Sequence, residues 1–223
     1  MAKTVIIVGE SGTGKSSSLR SLNSKETYII KVIDKELPFR EDKNYSTALK
    51  NLAVTSKSED IVAILKGISK SRPDIKNIII DDIGFVMTKE FFDRSNESGF
   101  VKFTDIAKHM QEIIQTCENL EGDLTIALMF HVENVVSDGI IVEKGLKTIG
   151  KLLDQAYDPR ATVSTVFYTD VKVEKETTVY EFITNRVVVK GVTIPAKSPI
   201  DMFEKRIPND LQFVFNRIRE YYS

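Results

Sequence analysis

A chain of 223 residues is long enough for one well-buried α/β domain and too short for two full domains. Its 31 lysine and arginine residues nearly balance its 32 aspartate and glutamate residues, so a nucleic-acid role would need a local basic patch. The single cysteine, Cys117, has no partner for an internal disulfide, which predicts a reducing, cytoplasmic setting. The first strand is predicted so near Met1 that we expect no signal peptide, and no apolar run suits a membrane span.

The first apolar run, residues 4–8, leads into Gly9-Glu10-Ser11-Gly12-Thr13-Gly14-Lys15-Ser16. This is the G-x-x-x-x-G-K-[ST] pattern of a phosphate-binding loop, with a strand predicted before it and a helix over residues 15–23 after it. Three glycines let the backbone turn so that its N–H groups converge, and the helix end adds positive potential. The pattern predicts a site for the α- and β-phosphates of a nucleoside triphosphate.

Two side chains of this loop have predicted chemical roles. Lys15 would reach the β- and γ-phosphates as a catalytic residue, and the Ser16 hydroxyl would ligate Mg²⁺. The predicted nucleotide-binding residues are Gly9, Glu10, Ser11, Gly12, Thr13, Gly14, Lys15, Ser16 and Ser17.

The next elements alternate in type. Residues 28–33 form the second predicted strand, and the polar stretch 40–57 is predicted to be a loop. Ser58 is predicted to cap a helix over residues 59–70, where apolar residues recur with helical spacing.

Two carboxylates, Asp81 and Asp82, end the next predicted strand. That strand is apolar throughout, as parallel strands buried on both faces require. Asp81 is the predicted partner of Ser16 in binding Mg²⁺. Either Asp82 or Glu36, which lies just past the second strand, could act on the attacking water, and the sequence leaves this choice open.

A segment with four phenylalanines follows, and it predicts either core and interface packing or stacking platforms for bases. The next helix is predicted to begin at Thr104 or Asp105, with His109 solvated. A buried strand over residues 124–130 then delivers His131 to the phosphate site. His131 could sense the γ-phosphate or act only as a structural hydrogen-bonding residue.

The pattern changes after His131. Residues 132–162 are predicted to be a mobile loop region, in which Lys144, Lys147 and Lys151 form either a phosphate contact or a solvated face. An antiparallel hairpin is predicted over 163–189, and a last helix from Asn209, its predicted cap, to residue 222.

The order of these elements predicts an α/β fold with a mostly parallel central sheet flanked by helices, followed by an antiparallel C-terminal hairpin. We expect one domain over residues 1–223, with a nucleotide-binding core at 1–131, the mobile loop region at 132–162, and the hairpin and closing helix at 163–223. Nucleotide should bind at the carboxyl ends of the strands.

Taken together, the chain resembles the phage-encoded RecA-like P-loop ATPases, the short AAA-domain proteins that include the Sak-type single-strand annealing group. The resemblance lies in the phosphate loop, Lys35-Glu36-Leu37-Pro38-Phe39, Asp81-Asp82, Phe130-His131-Val132-Glu133, Lys147-Thr148-Ile149-Gly150-Lys151 and Lys197-Ser198-Pro199-Ile200-Asp201-Met202-Phe203.

The resemblance implies a homo-oligomer that binds and hydrolyses ATP with Mg²⁺ at subunit interfaces. It implies action on single-stranded DNA in phage recombination or replication, with a phage single-strand-binding protein as a candidate partner. The strand carrying His131 would lie between the phosphate-loop strand and the Asp81 strand. His131 would then match the γ-phosphate switch residue, and the loop after it would contact DNA.

Two other functions stay open from the sequence. A nucleoside or nucleotide kinase has the same loop but needs a lid rich in arginines. A nucleotide-dependent regulatory or assembly switch would bind no DNA. If hydrolysis needs a positive charge from a neighbouring subunit, the candidates are Lys151, Arg160 and Arg186.

Overall fold

The computed structural model describes residues 1–149, 158–174 and 177–223. The strands are β1 (Lys3–Gly9), β2 (Thr27–Lys31), β3 (Leu52–Val54), β4 (Asn77–Asp81), β5 (Thr125–Ser137), β6 (Ile140–Leu146), β7 (Thr165–Glu174), β8 (Thr177–Ile183), β9 (Val187–Val189), β10 (Val192–Ile194) and β11 (Arg206–Pro208). The helices are α1 (Ser58–Ser71), α2 (Gly84–Asp93), α3 (Val101–Asn119), the short turn Pro159–Thr162 and the C-terminal helix Leu211–Tyr222. Two 3-10 helices cover Ser16–Ser21 and Arg40–Asn44.

The main sheet has the strand order β11-β8-β7-β1-β5-β4-β2-β3. The neighbours from β7 to β3 run parallel, whereas β7–β8 and β8–β11 are antiparallel. The predicted α/β fold is therefore confirmed, with its mostly parallel sheet and antiparallel C-terminal hairpin. The strand that carries His131, β5, lies between β1 and β4, as the resemblance implies.

The sheet is covered on both faces, because successive residues of its central strands point to opposite sides. Ile6 and Val8 of β1 pack in the core formed with α1, α2 and α3. Val5 and Ile7 pack in a second core, formed with the C-terminal helix and Leu19 of the first 3-10 helix. These four side chains of β1 are fully buried, so the strand before the phosphate loop is held rigidly.

Several predictions about local structure were wrong. The helix expected over 15–23 is only a six-residue 3-10 helix, so little helix dipole lies behind the phosphate loop. The stretch 40–57 contains a 3-10 helix and the edge strand β3, which pairs with β2. The cap of the C-terminal helix is Asp210 instead of Asn209, because the Asp210 carboxylate accepts the N–H of Phe213 at 3.0 Å.

The phenylalanine-rich segment forms α2 and the start of α3, which begins at Val101 rather than near Thr104. The first helix, α1, begins at Ser58 itself. His109 of α3, expected to be solvated, lies with Nδ1 2.9 Å from the Glu90 carboxylate of α2. The His109 contact could not be predicted from local sequence, because it joins two different helices.

The region predicted to be a mobile loop, 132–162, is a β-hairpin over much of its length. β5 continues past the main sheet and pairs with β6 in an antiparallel ladder. Asp138 and Gly139 form its turn with φ values of 50° and 77°, as a tight two-residue hairpin requires. Beside it, β10 pairs with β6 and β9, so this arm belongs to a second, smaller sheet. Gly150 and Lys151 lie outside the described residues.

Within the described residues, no helix is both long enough and apolar enough to cross a membrane.

Candidate functional site

The predicted site residues meet at the carboxyl edge of the parallel sheet. Gly9 ends β1 and pairs in register with His131 of β5, so the phosphate loop starts beside that histidine. Asp81 ends β4 and pairs in register with Lys31 of β2. Because parallel strands end at one edge, residues far apart in sequence form one cleft.

The cleft has a volume of about 220 Å³. It is lined by Ser11, Gly12, Gly14, Lys15, Ser16, Ser17, Lys35, Glu36, Pro38, Asp82 and His131.

Lys15 is held inside the phosphate loop by main-chain oxygens. Its Nζ donates to the carbonyl of Gly9 at 2.8 Å and to the carbonyl of Glu10 at 2.9 Å. Burial lowers the pKa of the Lys15 ammonium, although the Asp82 and Asp81 carboxylates oppose this shift. An ammonium stripped of water and held by neutral carbonyls is poised to bind a phosphate oxygen.

Ser16 and Asp81 lie together, as the sequence predicts. Ser16 Oγ lies 3.1 Å from each carboxylate oxygen of Asp81. Asp81 is 1% exposed, and its burial, together with the adjacent Asp82 charge, raises its pKa. A hydroxyl and a carboxylate at this distance fit Mg²⁺, which takes oxygen ligands and completes its shell with phosphates and water.

Asp82 turns into the same cleft because the strand stops before it. Its φ of 58° lies in the left-handed region, so its side chain leaves the alternation of β4. The carboxylate lies 2.5 Å from Lys35 Nζ and 3.1 Å from His131 Nε2. Burial alone would raise the pKa of Asp82, but the His131 and Lys35 contacts outweigh it and lower the pKa to about 2.

Glu36 differs from Asp82 in its surroundings. It is exposed at the rim of the cleft, and no ion pair involves its carboxylate among residues 1–149, 158–174 and 177–223. Its neighbour Lys35 is the residue that reaches Asp82. The two candidates for acting on water are thus a carboxylate without an ion pair among the described residues and a carboxylate in contact with both Lys35 and His131.

The C-terminal strands brace the back of the phosphate loop. A Cβ at Gly9 would lie 1.8 Å from Thr169 Oγ1 of β7, so only glycine fits there. Thr13 Oγ1 lies 2.5 Å from the same Thr169 oxygen. Gly14 has a φ of 94° and packs against Tyr180 of β8 and the side chain of Asn209.

Asn209 is buried against the loop, and neither polar atom of its side-chain amide has a hydrogen-bond partner within the described residues. Buried polar atoms of this kind are uncommon in proteins. Its position beside Gly14 couples the C-terminal segment to the loop.

Sequence reasoning missed the roles of Lys35 and Thr169, and it named Lys144 only as a phosphate contact or part of a solvated face. Lys35 is adjacent to the predicted Glu36 and follows a strand, which was a usable signal. Lys144 of β6 pairs with Glu10 of the phosphate loop at 2.8 Å, and Thr169 contacts Thr13. Neither contact has a signal in the sequence, because each joins segments more than a hundred residues apart.

The three residues predicted as candidates for a positive charge acting on a neighbouring subunit have different surroundings. Arg160 pairs with Asp158 at 2.9 Å and with Glu143 at 3.2 Å, so its charge is already engaged within the chain. Arg186 is exposed between β8 and β9. Lys151 lies outside the described residues. The engagement of Arg160 disfavours a kinase lid built on it.

The sheet and the site have the architecture of a P-loop nucleoside-triphosphate-binding fold, with the phosphate loop after the first strand and a carboxylate at the end of a nearby strand. No family model and no curated protein matches the chain significantly. Among the solved structures, similar chains include a KaiC-like protein from the hyperthermophilic archaeon Pyrococcus horikoshii OT3. The two share 10% sequence identity with a TM-score of 0.49, over 86% of this chain and 88% of that chain.

Proposed function

We propose that this protein binds ATP with Mg²⁺ and hydrolyses it, as a RecA-like ATPase. The observation that carries the proposal is the contact of Ser16 Oγ, in the last residue of the phosphate loop, with both Asp81 oxygens at 3.1 Å. A glycine loop that only turned a strand into a helix would need neither the buried Asp81 carboxylate nor its hydroxyl partner.

Each residue of the site has a role in the proposed reaction. The N–H groups of the loop bind the α- and β-phosphates, and Lys15 binds the β- and γ-phosphates. Ser16 and Asp81 hold Mg²⁺, Asp81 either directly or through water. When bound, the metal neutralises charge that develops on the phosphate oxygens.

We assign the orientation and activation of the attacking water to Glu36. A general base works best when its pKa lies near the operating pH, and the pKa of about 2 makes Asp82 a poor proton acceptor. Asp82 is instead a positioning residue, because it holds both Lys35 and His131 in the cleft. We propose that His131 responds to the γ-phosphate, and its contact with Asp82 supports this role.

We further propose that the protein acts as a homo-oligomer on single-stranded DNA in phage recombination or replication, with a phage single-strand-binding protein as a candidate partner. This part of the proposal rests on the resemblance of the motifs. The neighbouring order of β1, β5 and β4 supports it, since it puts His131 beside the phosphate loop.

The test is the rate of ATP hydrolysis with and without single-stranded DNA over a range of salt concentrations, with Lys15→Ala as the inactive control. Stimulation by DNA, with binding that falls at roughly −0.7 per contacted phosphate on a log–log plot, supports the full proposal. Turnover that ignores DNA rejects the DNA role alone. Full turnover by Lys15→Ala rejects the site assignment.

A further inference from the structure

The β5–β6 hairpin carries an aliphatic tip that is open to solvent. The exposed fractions are 44% for Val135, 57% for Val136 and 68% for Ile140, and Ile141 and Val142 each retain 38%. Adjacent residues of a strand point to opposite faces, so both faces of this two-stranded arm expose apolar side chains. Such a concentration of apolar surface marks an interaction site.

The charges of the arm indicate what it contacts. Between Val132 and Glu143 the sequence has three carboxylates, at positions 133, 138 and 143, and no lysine, arginine or aromatic residue. Glu143 pairs with Arg160 at 3.2 Å within the chain, so the negative charge offered to a partner comes from Glu133 and Asp138. Single-stranded nucleic acid is bound by cations along its phosphates and aromatic rings against its bases. The tip therefore suits an apolar protein surface that carries positive charge.

A surface of this kind lies in the same chain, on the far side of His131 from the phosphate loop. It is an apolar pocket of about 270 Å³ walled by Phe85, Phe91, Phe92 and Ile149. Lys147 is part of its lining, and no carboxylate is among the described residues that line it. A cavity of about 150 Å³ can hold a benzene molecule, so this pocket has room for a branched aliphatic side chain.

We propose that the hairpin tip of one copy of this chain inserts Ile140 into the phenylalanine-walled pocket of a second copy, with Asp138 beside Lys147. The inference rests on the proposed function, in that it names the contact surfaces of the proposed homo-oligomer. The tip supplies aliphatic side chains and a negative charge, and the pocket supplies an apolar cavity and a positive charge.

Both ends of this contact lead to the nucleotide site. At the base of the hairpin, Lys144 pairs with Glu10 of the phosphate loop. In the pocket, His131 forms part of the wall and lies edge-on to Phe85, with 5.5 Å between ring centroids, while its Nε2 contacts Asp82. In the proposed contact, the hairpin of one subunit is linked to its own phosphate loop through Lys144, and the pocket of the other subunit is linked to its own Asp82 through His131.

The experiment is sedimentation velocity of the full chain over a range of concentrations, with and without ATP and Mg²⁺. Ile140→Asp alters the tip, and Thr88→Arg fills the pocket from α2. The matched control is Ile200→Asp, since Ile200 is 82% exposed and lies outside both surfaces. We expect the first two variants to weaken association about tenfold or more and the control to leave it unchanged. Thermal unfolding of each variant verifies that it is folded.

A charge exchange gives a second, independent readout. Asp138→Lys and Lys147→Asp should each weaken association, and the double variant should recover it. A wild-type chain that stays monomeric under all these conditions overturns the proposal, as does association that Ile140→Asp and Thr88→Arg leave unchanged. If Ile140→Asp abolishes binding of a single-stranded oligonucleotide while association persists, the tip contacts DNA and the proposal is also overturned.

Association is measured without turnover, so the two proposals can fail separately. A chain that associates through the tip and does not hydrolyse ATP rejects the proposed function and retains the interface. A chain that hydrolyses ATP and associates regardless of Ile140→Asp rejects the interface alone.

Discussion

Lys144 Nζ lies 2.8 Å from Glu10 Oε1, so an ion pair ties the β5–β6 hairpin to the phosphate loop. The Glu10 side chain is 58% exposed and the Lys144 side chain 26%, so the pair contributes little to folding stability. Its importance is electrostatic. Glu10 places a negative charge in a loop that would receive a triphosphate, and Lys144 neutralises that charge.

Replacing Glu10 should therefore affect nucleotide binding more than stability. Glu10→Gln is expected to tighten ATP binding roughly two- to fivefold at low ionic strength, and Lys144→Met to weaken it similarly. Fluorescence titration with an ATP analogue at low and high salt measures both effects. They should shrink as salt screens the charges, and effects independent of salt would contradict this origin.

The contact between Ser16 and Asp81 should control the response to magnesium. Asp81→Asn keeps the shape of the side chain and removes its charge, and it should lower Mg²⁺-dependent turnover by about a hundredfold or more. Ser16→Ala should act through the same ion, so the double variant should lose little beyond the larger single loss. A Mg²⁺ titration of the rate is the measurement, and an unchanged Mg²⁺ dependence in Asp81→Asn would reject its metal role.

A kinetic comparison should distinguish the two carboxylates that are candidates for acting on the attacking water. Glu36→Gln is expected to lower the rate of hydrolysis by about 10²–10⁴ while ATP binding is retained. Asp82→Asn should lower it less and should also lower the melting temperature, because Lys35 and His131 lose their shared partner. Single-turnover rates and thermal unfolding of both variants decide the matter, and the reverse order would assign the base to Asp82.

Acid should destabilise the protein through Asp82. The folded-state pKa of about 2 lies below the ordinary value of 3.8, so the Asp82 contribution is present above about pH 4 and is lost as pH falls towards 2. This loss is on the order of 2 kcal/mol. Asp81, whose pKa is raised, works in the opposite direction.

The comparison of wild type with Asp82→Asn measures the Asp82 contribution together with its effect on Asp81, because the Asp82 charge is one cause of the raised pKa of Asp81. Urea unfolding at several pH values between about 2 and 5 measures it. Parallel stability curves for the two proteins over this window would show that Asp82 has no depressed pKa.

The packing of Gly9 against Thr169 predicts that a substitution of Thr169 offsets the damage caused by a substitution of Gly9. Gly9→Ala puts a Cβ where Thr169 Oγ1 now lies, and it should destabilise the protein by about 1–3 kcal/mol and reduce nucleotide binding. Adding Thr169→Ala removes that oxygen and should recover part of both losses. Thermal unfolding and ATP titration of the single and double variants test this, and a double variant worse than Gly9→Ala would contradict it.

Much of the fold could be predicted from sequence because it depends on local patterns. The phosphate loop, the aliphatic strands and the stripe of α1 each lie within a short window, where periodicity and glycine placement are informative. Ser16 and Asp81, predicted to share Mg²⁺, lie 3.1 Å apart, since two strand ends at one edge of a parallel sheet come together.

The hairpin after His131 could not be predicted in the same way. Its residues lack clear alternation, and β5 continues past the main sheet only because β6 and β10 pair beside it. The sequence could not distinguish Asp82 from Glu36 for a similar reason. The surroundings of Asp82 depend on Lys35 and His131, which reach it from the ends of two other strands.

The sequence by itself determined the phosphate loop, the mostly parallel α/β sheet, and the carboxylate that faces the Ser16 hydroxyl. The tertiary structure alone decided that Asp82 contacts both Lys35 and His131, that Thr169 and Tyr180 pack against the loop, and that the hairpin tip and the phenylalanine-walled pocket are exposed. The physical reason is the distance along the chain over which each interaction acts. Backbone preference and hydrophobic periodicity act over a few residues, whereas charge neutralisation and close packing depend on segments that meet only in the folded chain.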